Sequence, residues 1–306
     1  LCTANIKNEI GKCTYTQMLN TDGGIETDLT VVCLEKNYFR IISSAATRER
    51  DKFHIKKYLS KDLKLKDVTE DYCVFGVFGP NSRLLMQDLS KDDFSNENFK
   101  FASSKYTYID DKKIWTQRLS YVGELGYELY IQVNDAKRIY NLIIEKGAKY
   151  KISNCGMHAM DIMRMESGFL HWGHDISPEE NQYEAGLNFA VSYKKNIDFI
   201  GKEALLKIKD QKPAKRFVML SLKDSEPGKP LLLHDEPIYL ESKIIGRTTS
   251  GNYSFNFKRN FAFGYIKTKL SIADLEKEVL FIEVEKKKYP ASIMLEPLKS
   301  KNIKNI

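Results

Sequence analysis

Cysteine is scarce and scattered. Cys2, Cys13, Cys33, Cys73 and Cys155 form no CxxC pair and no Cys/His metal-ligand spacing, so neither a disulfide framework nor a zinc ribbon is encoded. A reducing compartment suits such thiols. No apolar run reaches the roughly 18 residues that a membrane span needs, and no secretory apolar segment opens the chain. Membrane partners and secretion are therefore not expected. Glycine fingerprints are missing too: "FGVFGPNS" and "YVGELGYE" lack the GxGxxG spacing, and no Walker sequence occurs. That argues against a flavin, a nicotinamide dinucleotide or a nucleoside triphosphate bound within these residues. Histidines number five, and only His171 and His174 in "HWGHD" sit close in sequence. Gly173 interrupts them and no third ligand is evident, so no metal site is assigned. No serine lies in a nucleophile elbow.

What is present describes an ordinary globular protein. At 306 residues, with 42% hydrophobic and 29% charged residues, the chain is long enough for two or three compact units. Its net charge of +7 is spread over short lysine runs, such as Lys286-Lys287-Lys288, that read as solvated surface and not as a nucleic-acid footprint. The first residue is Leu1, not Met, and folded-looking sequence follows at once, so the natural N-terminus is expected to be missing.

One stretch raises a chemical question. In "LNTDGGIETDLTVVCLEKNYFRIIS", Gly23 and Gly24 are expected to supply the positive φ of a tight hairpin turn. From Ile25 the residues alternate, with Ile25, Thr27, Leu29 and Val31 on one side and Glu26, Asp28 and Thr30 on the other. Asp28 thus stands where a strand enters the interior. A carboxylate there must be paired, solvated or in use.

Further along, Ser43 or Ser44 is placed to cap a helix in "ATRERDKFHIKKYL". A second α+β unit follows. "CVFGVFGPNSRLLMQDL" predicts a strand, a turn and a helix entered through Asn81 or Ser82. "KIWTQRLSYVGELGYELYIQV" predicts two strands around a glycine turn, with Glu124 in the turn and Glu128 on a strand. "NDAKRIYNLIIEKGAKY" predicts a helix capped by Asn134 or Asp135 and ending near Gly147. In the helix of "GMHAMDIMRMESG", Met157, Met160 and Met163 read as core filling. Beyond about Ala214 short strands and turns dominate, which predicts a β-rich terminal domain, and the polar "KSKNIKNI" is expected to fray.

Five segments carry a resemblance: "YTQMLNTDGGIETDLTV", "SYVGELGYELYI", "MRMESGFLHWGHDISPEENQYEAGL", "DFIGKEAL", and "GRTTSG" with "FAFGYI". In order and spacing they resemble the aminomethyltransferase family, the glycine-cleavage T-protein fold. Their details, with the opening "LCTANI", look most like its branch formed by the folate-binding regions of sarcosine and dimethylglycine dehydrogenases. The resemblance implies an α+β, three-domain cloverleaf around a tetrahydrofolate site. Residues 1–60 and 150–205 would form the folate-binding domain, 61–149 a second α+β domain, and 206–306 a C-terminal β-barrel. It also implies roles: Asp28 as the catalytic carboxylate near the reactive folate nitrogens, and Tyr15, Thr30, Tyr121 and Glu128 as folate-binding residues, with Glu128 on the pterin edge. FAD would belong only to an oxidoreductase domain upstream, which would supply the iminium of a small N-methyl amine. The compartment implied is the bacterial cytoplasm or the mitochondrial matrix.

Two positions depart from the T-protein pattern. Thr27-Asp28 stands where two aspartates are common, and Met160 replaces the arginine of an "ARD" helix. Both changes fit the dehydrogenase branch. Other readings stay open: a free-standing aminomethyltransferase, a folate-dependent demethylase, or a non-catalytic relative such as the regulatory subunit of pyruvate dehydrogenase phosphatase.

Overall fold

A computed structural model describes residues 1–6, 9–223 and 226–299. Its strands and helices run β1 (Cys13–Leu19), β2 (Ile25–Glu35), β3 (Tyr38–Ser43), α1 (Arg48–Lys57), β4 (Tyr72–Phe78), α2 (Ser82–Leu89), β5 (Ser104–Ile109), β6 (Lys112–Gln117), β7 (Gly126–Gln132), α3 (Ala136–Gly147), α4 (Met157–Glu166) and α5 (Lys202–Ile208). Then come β8 (Arg216–Leu222), β9 (Pro237–Leu240), β10 (Lys243–Ser254), β11 (Arg259–Ile266), α6 (Ile272–Leu275), β12 (Leu280–Val284) and β13 (Lys287–Met294). Two compact units result. Among the described residues, one gathers 1–4, 16–28 and 161–299, the other 5–15 and 29–160. Strands β1 and β2 pass from one unit to the other, and with β3 they form a sheet in the order β1-β2-β3.

The hairpin of the first unit closes as expected, but its two glycines have different jobs. Asn20 N–H donates to the Gly24 carbonyl at 2.9 Å, and the Asn20 side-chain oxygen accepts from the Asp22 and Gly24 amides. Only Gly23 takes a positive φ, +88°. Gly24 is needed for space, since a Cβ there would lie 2.0 Å from the Pro178 carbonyl oxygen. Along β2 the alternation holds: Ile25, Thr27, Leu29 and Val31 are buried, while Glu26, Asp28 and Thr30 are partly exposed.

The rest of the first unit is dominated by a closed barrel in the order β10-β11-β8-β13-β12-β9, all antiparallel, filled by residues such as Leu220, Ile238, Leu280 and Ile282. Short strands with inward apolar alternation produce this closure, which leaves no sheet edge unpaired. Arg164 at the end of α4 is only 2% exposed and donates to Asp175, to Ser250 of β10 at 2.8 Å and to the Phe169 carbonyl at 3.1 Å. The buried guanidinium is thereby satisfied.

In the second unit an antiparallel sheet runs β4-β7-β6-β5. Leu85, Met86 and Leu89 of α2 and Ile139 and Ile143 of α3 recur at helical spacing and join Phe94, Phe99, Tyr127, Leu129 and Ile131 in one core. Helix α1 follows a 3₁₀ turn whose entry is capped by Ser44, its hydroxyl accepting from Ala46 N–H at 3.3 Å.

Several local expectations need correction. Asn81 precedes α2 and Asp135 precedes α3, yet neither side chain caps its helix. Ser82 instead donates its hydroxyl to the Leu125 carbonyl at 3.0 Å, and Asp135 is drawn to Lys112 at 3.0 Å. Helix α3 does end at Gly147, but the left-handed residue is Lys151, at φ +59°. Gly147 serves packing, because a Cβ there would lie 2.6 Å from Ile152 Cγ2. Met157 is 73% exposed and Met160 and Met163 are only partly buried; Met165, at 1%, is the core methionine of α4. Ser300 to Ile306, most of the tail expected to fray, lies outside the described residues.

Candidate functional site

Asp28 is paired. It sits on β2 between the buried Thr27 and Leu29, and its Oδ1 accepts from Gln17 Nε2 of β1 at 2.8 Å. Gln17 itself is fully buried, and its own side-chain oxygen accepts from Gln182 Nε2 at 2.6 Å. An amide donor of this kind fixes a carboxylate without neutralising it. Thr30 emerges two residues on, on the same side of the strand, opposite Ile42 of β3 in the ladder.

Glu128 belongs to the second unit and has a different setting. On β7 it faces Gly76 of β4 and Gln117 of β6 in the ladder. Its Oε2 accepts from the hydroxyl of Tyr130, two residues along the same face, at 3.0 Å. The Tyr130 ring packs on Trp115 with centroids 4.5 Å apart, and the Arg40 guanidinium lies 4.3 Å above the Trp115 ring. Burial pushes the Glu128 carboxyl above its usual range, against the opposing effect of the Tyr130 hydrogen bond. Tyr130 is held firmly as the phenol, first by burial and then by the neighbouring carboxylate. Cys13 Sγ donates to the Gln117 side-chain oxygen at 3.1 Å, and burial pushes the thiol up to about 12, which makes it an inert core group.

Of the other residues singled out from sequence, Tyr15 lies on β1 and is 38% exposed. Tyr121 lies in the irregular segment 118–125 between β6 and β7, with Glu124. There Ser120 Oγ accepts from the Val122 and Glu124 amides at 3.3 and 3.2 Å, which makes the segment a serine turn. Asp28 thus falls in the first unit, and Tyr15, Thr30, Tyr121 and Glu128 in the second. Gln17, Tyr130, Trp115 and Arg40 are additions of the structure. Tyr130 had a signal, the Glu-x-Tyr spacing that puts both side chains on one face of a strand; Gln17 and Arg40 had none.

His171 and His174 lie with ring centroids 4.7 Å apart and planes tilted by 44°, and burial lowers the His171 pKa. Among the described residues, no group of three or more His, Cys, Asp or Glu is arranged to hold a metal ion, and no helix is long and apolar enough to cross a membrane.

Comparison with known proteins places this geometry. Residues 1–195 match the GCVT N-terminal domain, and residues 215–299 match the glycine cleavage T-protein C-terminal barrel domain, which coincides with the closed barrel. Human mitochondrial dimethylglycine dehydrogenase is 34% identical over 300 residues, which cover 96% of this chain and 34% of that protein. The chain thus spans about a third of the length of that relative. An aminomethyltransferase from Anoxybacillus flavithermus is 30% identical, with 94% of this chain and 77% of that protein covered. In fold, the crystal structure of the glycine cleavage system aminomethyltransferase T from Bartonella henselae superposes with a TM-score of 0.81 at 21% identity, over 96% of this chain and 78% of that one. The chain belongs to the folate-dependent, glycine-cleavage T-type aminomethyltransferase family.

Proposed function

We propose that this chain is the tetrahydrofolate-binding, one-carbon-transfer part of a sarcosine or dimethylglycine dehydrogenase, capturing an iminium carbon as 5,10-methylene-tetrahydrofolate. The observation that carries the reading is Asp28: a carboxylate on a strand entering the interior, held at one oxygen by a buried amide donor. The residues suit a pterin-type ligand. Glu128 presents a desolvated acceptor beside an aromatic cluster, and a carboxylate can accept two donors at once from an amino-pyrimidine edge. Tyr15, Thr30 and Tyr121 complete the proposed binding set.

Tetrahydrofolate supplies two amine nitrogens that together bond the transferred carbon. Asp28 accepts a proton released from those nitrogens as the carbon is bonded, and returns it to the departing amine, so that the two hydrogens lost from the nitrogens leave on the product ammonium. Glu128 and its neighbours are the proposed holders of the pterin edge. An FAD-dependent oxidoreductase domain upstream is the proposed source of the iminium, and handing the carbon over within one protein limits its loss to water as formaldehyde. The three-domain partition into 1–60 with 150–205, 61–149 and 206–306 is proposed with it, supported by the separate sheet of β4 to β7 and the closed barrel. The bacterial cytoplasm or the mitochondrial matrix is the proposed location.

A free-standing aminomethyltransferase is the second reading, favoured by the 77% coverage of the Anoxybacillus flavithermus relative. The purified chain should bind tetrahydrofolate in a calorimetric titration. It should also speed formation of methylene-tetrahydrofolate when glycine and formaldehyde supply the iminium. Heat and rate both indistinguishable from a buffer control would remove the reading and favour the regulatory type of relative.

A further inference from the structure

We infer that Thr3, Gln182 and Gln17 form a buried hydrogen-bond relay that holds the Gln17 amide as a donor to Asp28 Oδ1 and so orients the carboxylate. The inference rests on the proposed role of Asp28 and adds three positioning residues to it. Thr3, Gln17 and Gln182 are all fully buried, and with Asp28 they lie in the first unit. The Thr3 hydroxyl donates to the Ala190 carbonyl at 3.1 Å. Gln182 Nε2 donates to Thr3 Oγ1 at 3.2 Å and to Gln17 Oε1 at 2.6 Å, and Gln17 Nε2 donates to Asp28 Oδ1 at 2.8 Å.

The direction of this chain is dictated at both ends. A backbone carbonyl only accepts, and so does a carboxylate. Thr3 Oγ1 meets the Ala190 carbonyl at 3.1 Å and Thr16 Oγ1 at 3.3 Å, so its one hydrogen is used on that side and it accepts from Gln182. Gln17 must turn its nitrogen to Asp28, so its oxygen faces Gln182, whose nitrogen then donates both ways. The arrangement has a visible cost: Gln182 Oε1 is buried with no hydrogen-bond partner. Reversing the chain would require Thr3 to give up the Ala190 carbonyl and would leave the Gln182 nitrogen buried with a hydrogen unspent. The relay therefore offers Asp28 a donor that cannot become an acceptor. Such a relay also sets the rotation of the carboxylate, to which proton transfer is sensitive.

Gln17→Met keeps the volume and removes the donor. At saturating tetrahydrofolate it should slow one-carbon transfer on the order of tenfold, since misplacement of a reacting group has effects of this size or larger. The KM for folate should move by less than about threefold, because the variant alters positioning and not binding. Gln182→Met, which frees the Gln17 amide to turn, should give a smaller loss in the same direction. In an Asp28→Asn background neither substitution should slow transfer further, since residues acting as a unit are not additive. A second readout needs no folate. Melting temperatures of the unliganded chain should show that Gln17→Met and Asp28→Asn together lower Tm by less than the sum of their separate effects.

Rates that fall only in step with Tm, and fall equally in the Asp28→Asn background, would reduce the relay to packing and overturn the inference. Additive Tm shifts would do the same. If Asp28→Asn alone leaves transfer unchanged while the Tm coupling is present, it is the proposed use of Asp28 that fails, and the orienting contact survives.

Discussion

Asp28 receives its hydrogen bond from a side-chain amide, Glu128 from a phenol. Both carboxylates stand on strands and both are partly buried. An amide nitrogen has no basic lone pair and cannot take the proton of its partner, so Asp28 is steered without being titrated by its neighbour. Around Glu128 burial disfavours charge on both partners: the phenol stays protonated, and the carboxyl is pushed above its usual range. A ligand that brings its own donors to Glu128 offsets that desolvation, and this is how a binding carboxylate gains its energy. The same side-chain chemistry thus suits the proton exchange proposed for Asp28 and the ligand recognition proposed for Glu128. Environment makes the distinction.

That contrast can be broken most sharply at Asp28. Asp28→Asn keeps shape but removes the base, and one-carbon transfer should fall about 10²- to 10⁴-fold, the usual weight of general-base assistance. The rate of methylene-tetrahydrofolate formation, followed beside a melting curve, checks it. A fall in Tm with an unchanged rate per folded molecule would make Asp28 a structural residue.

Next in size is the effect at Glu128, the proposed binding carboxylate. Glu128→Gln should weaken tetrahydrofolate binding by about 1.5–3 kcal/mol, roughly 10- to 150-fold in Kd, as for loss of a charge-assisted hydrogen bond. Glu124→Gln, in the serine turn, should change it far less. Equal effects of the two in calorimetry would tell against the register that puts Glu128 on the pterin edge.

Tyr130→Phe sharpens the comparison further. It removes the donor to Glu128 while keeping the ring against Trp115, and should weaken folate binding by about 1 kcal/mol, the value of one hydrogen bond. Tighter binding in the variant would mean that the phenol competes with the ligand for Glu128.

The smallest expected effect is on stability against pH. Because the folded carboxyl of Glu128 is raised, the folded chain holds a proton there that the unfolded chain has already released. Its contribution to stability is therefore full below the ordinary carboxylate value and declines as pH rises toward the raised one. Urea midpoints taken from about pH 4 to pH 8 should decline less with pH in Glu128→Gln than in the wild type. A steeper decline in the variant would reverse the sign of the burial effect.

Much of this was legible in the sequence because it is periodic or local. Alternation from Ile25 to Val31 showed which side of β2 carries Asp28, and the short apolar runs after Ala214 announced a β-rich domain, its closure into a barrel coming from the resemblance. Ser44 capped as its position suggested. Asn81 and Asp135 did not, since Ser82 and Lys112 supplied competing partners from outside the local window. Methionine spacing alone could not tell the exposed Met157 from the buried Met165, because both satisfy a helical pattern. The least legible feature was the partner of Asp28. Gln17 reaches it across the hairpin, but Gln182 lies 165 residues from Gln17, and no local pattern links the two. The family resemblance named Asp28 and Glu128, whereas the contacts that separate their settings come from Gln17 and Tyr130.

The most direct measurement is a crossed comparison of kcat and of folate Kd for Asp28→Asn and Glu128→Gln on one preparation each, with melting curves alongside. The account predicts that Asp28→Asn loses kcat and keeps its Kd within about threefold, while Glu128→Gln loses affinity and keeps most of its kcat at saturating folate. If both variants lose affinity alone, or both lose kcat alone, with their folds intact, the division of labour between the two carboxylates is contradicted.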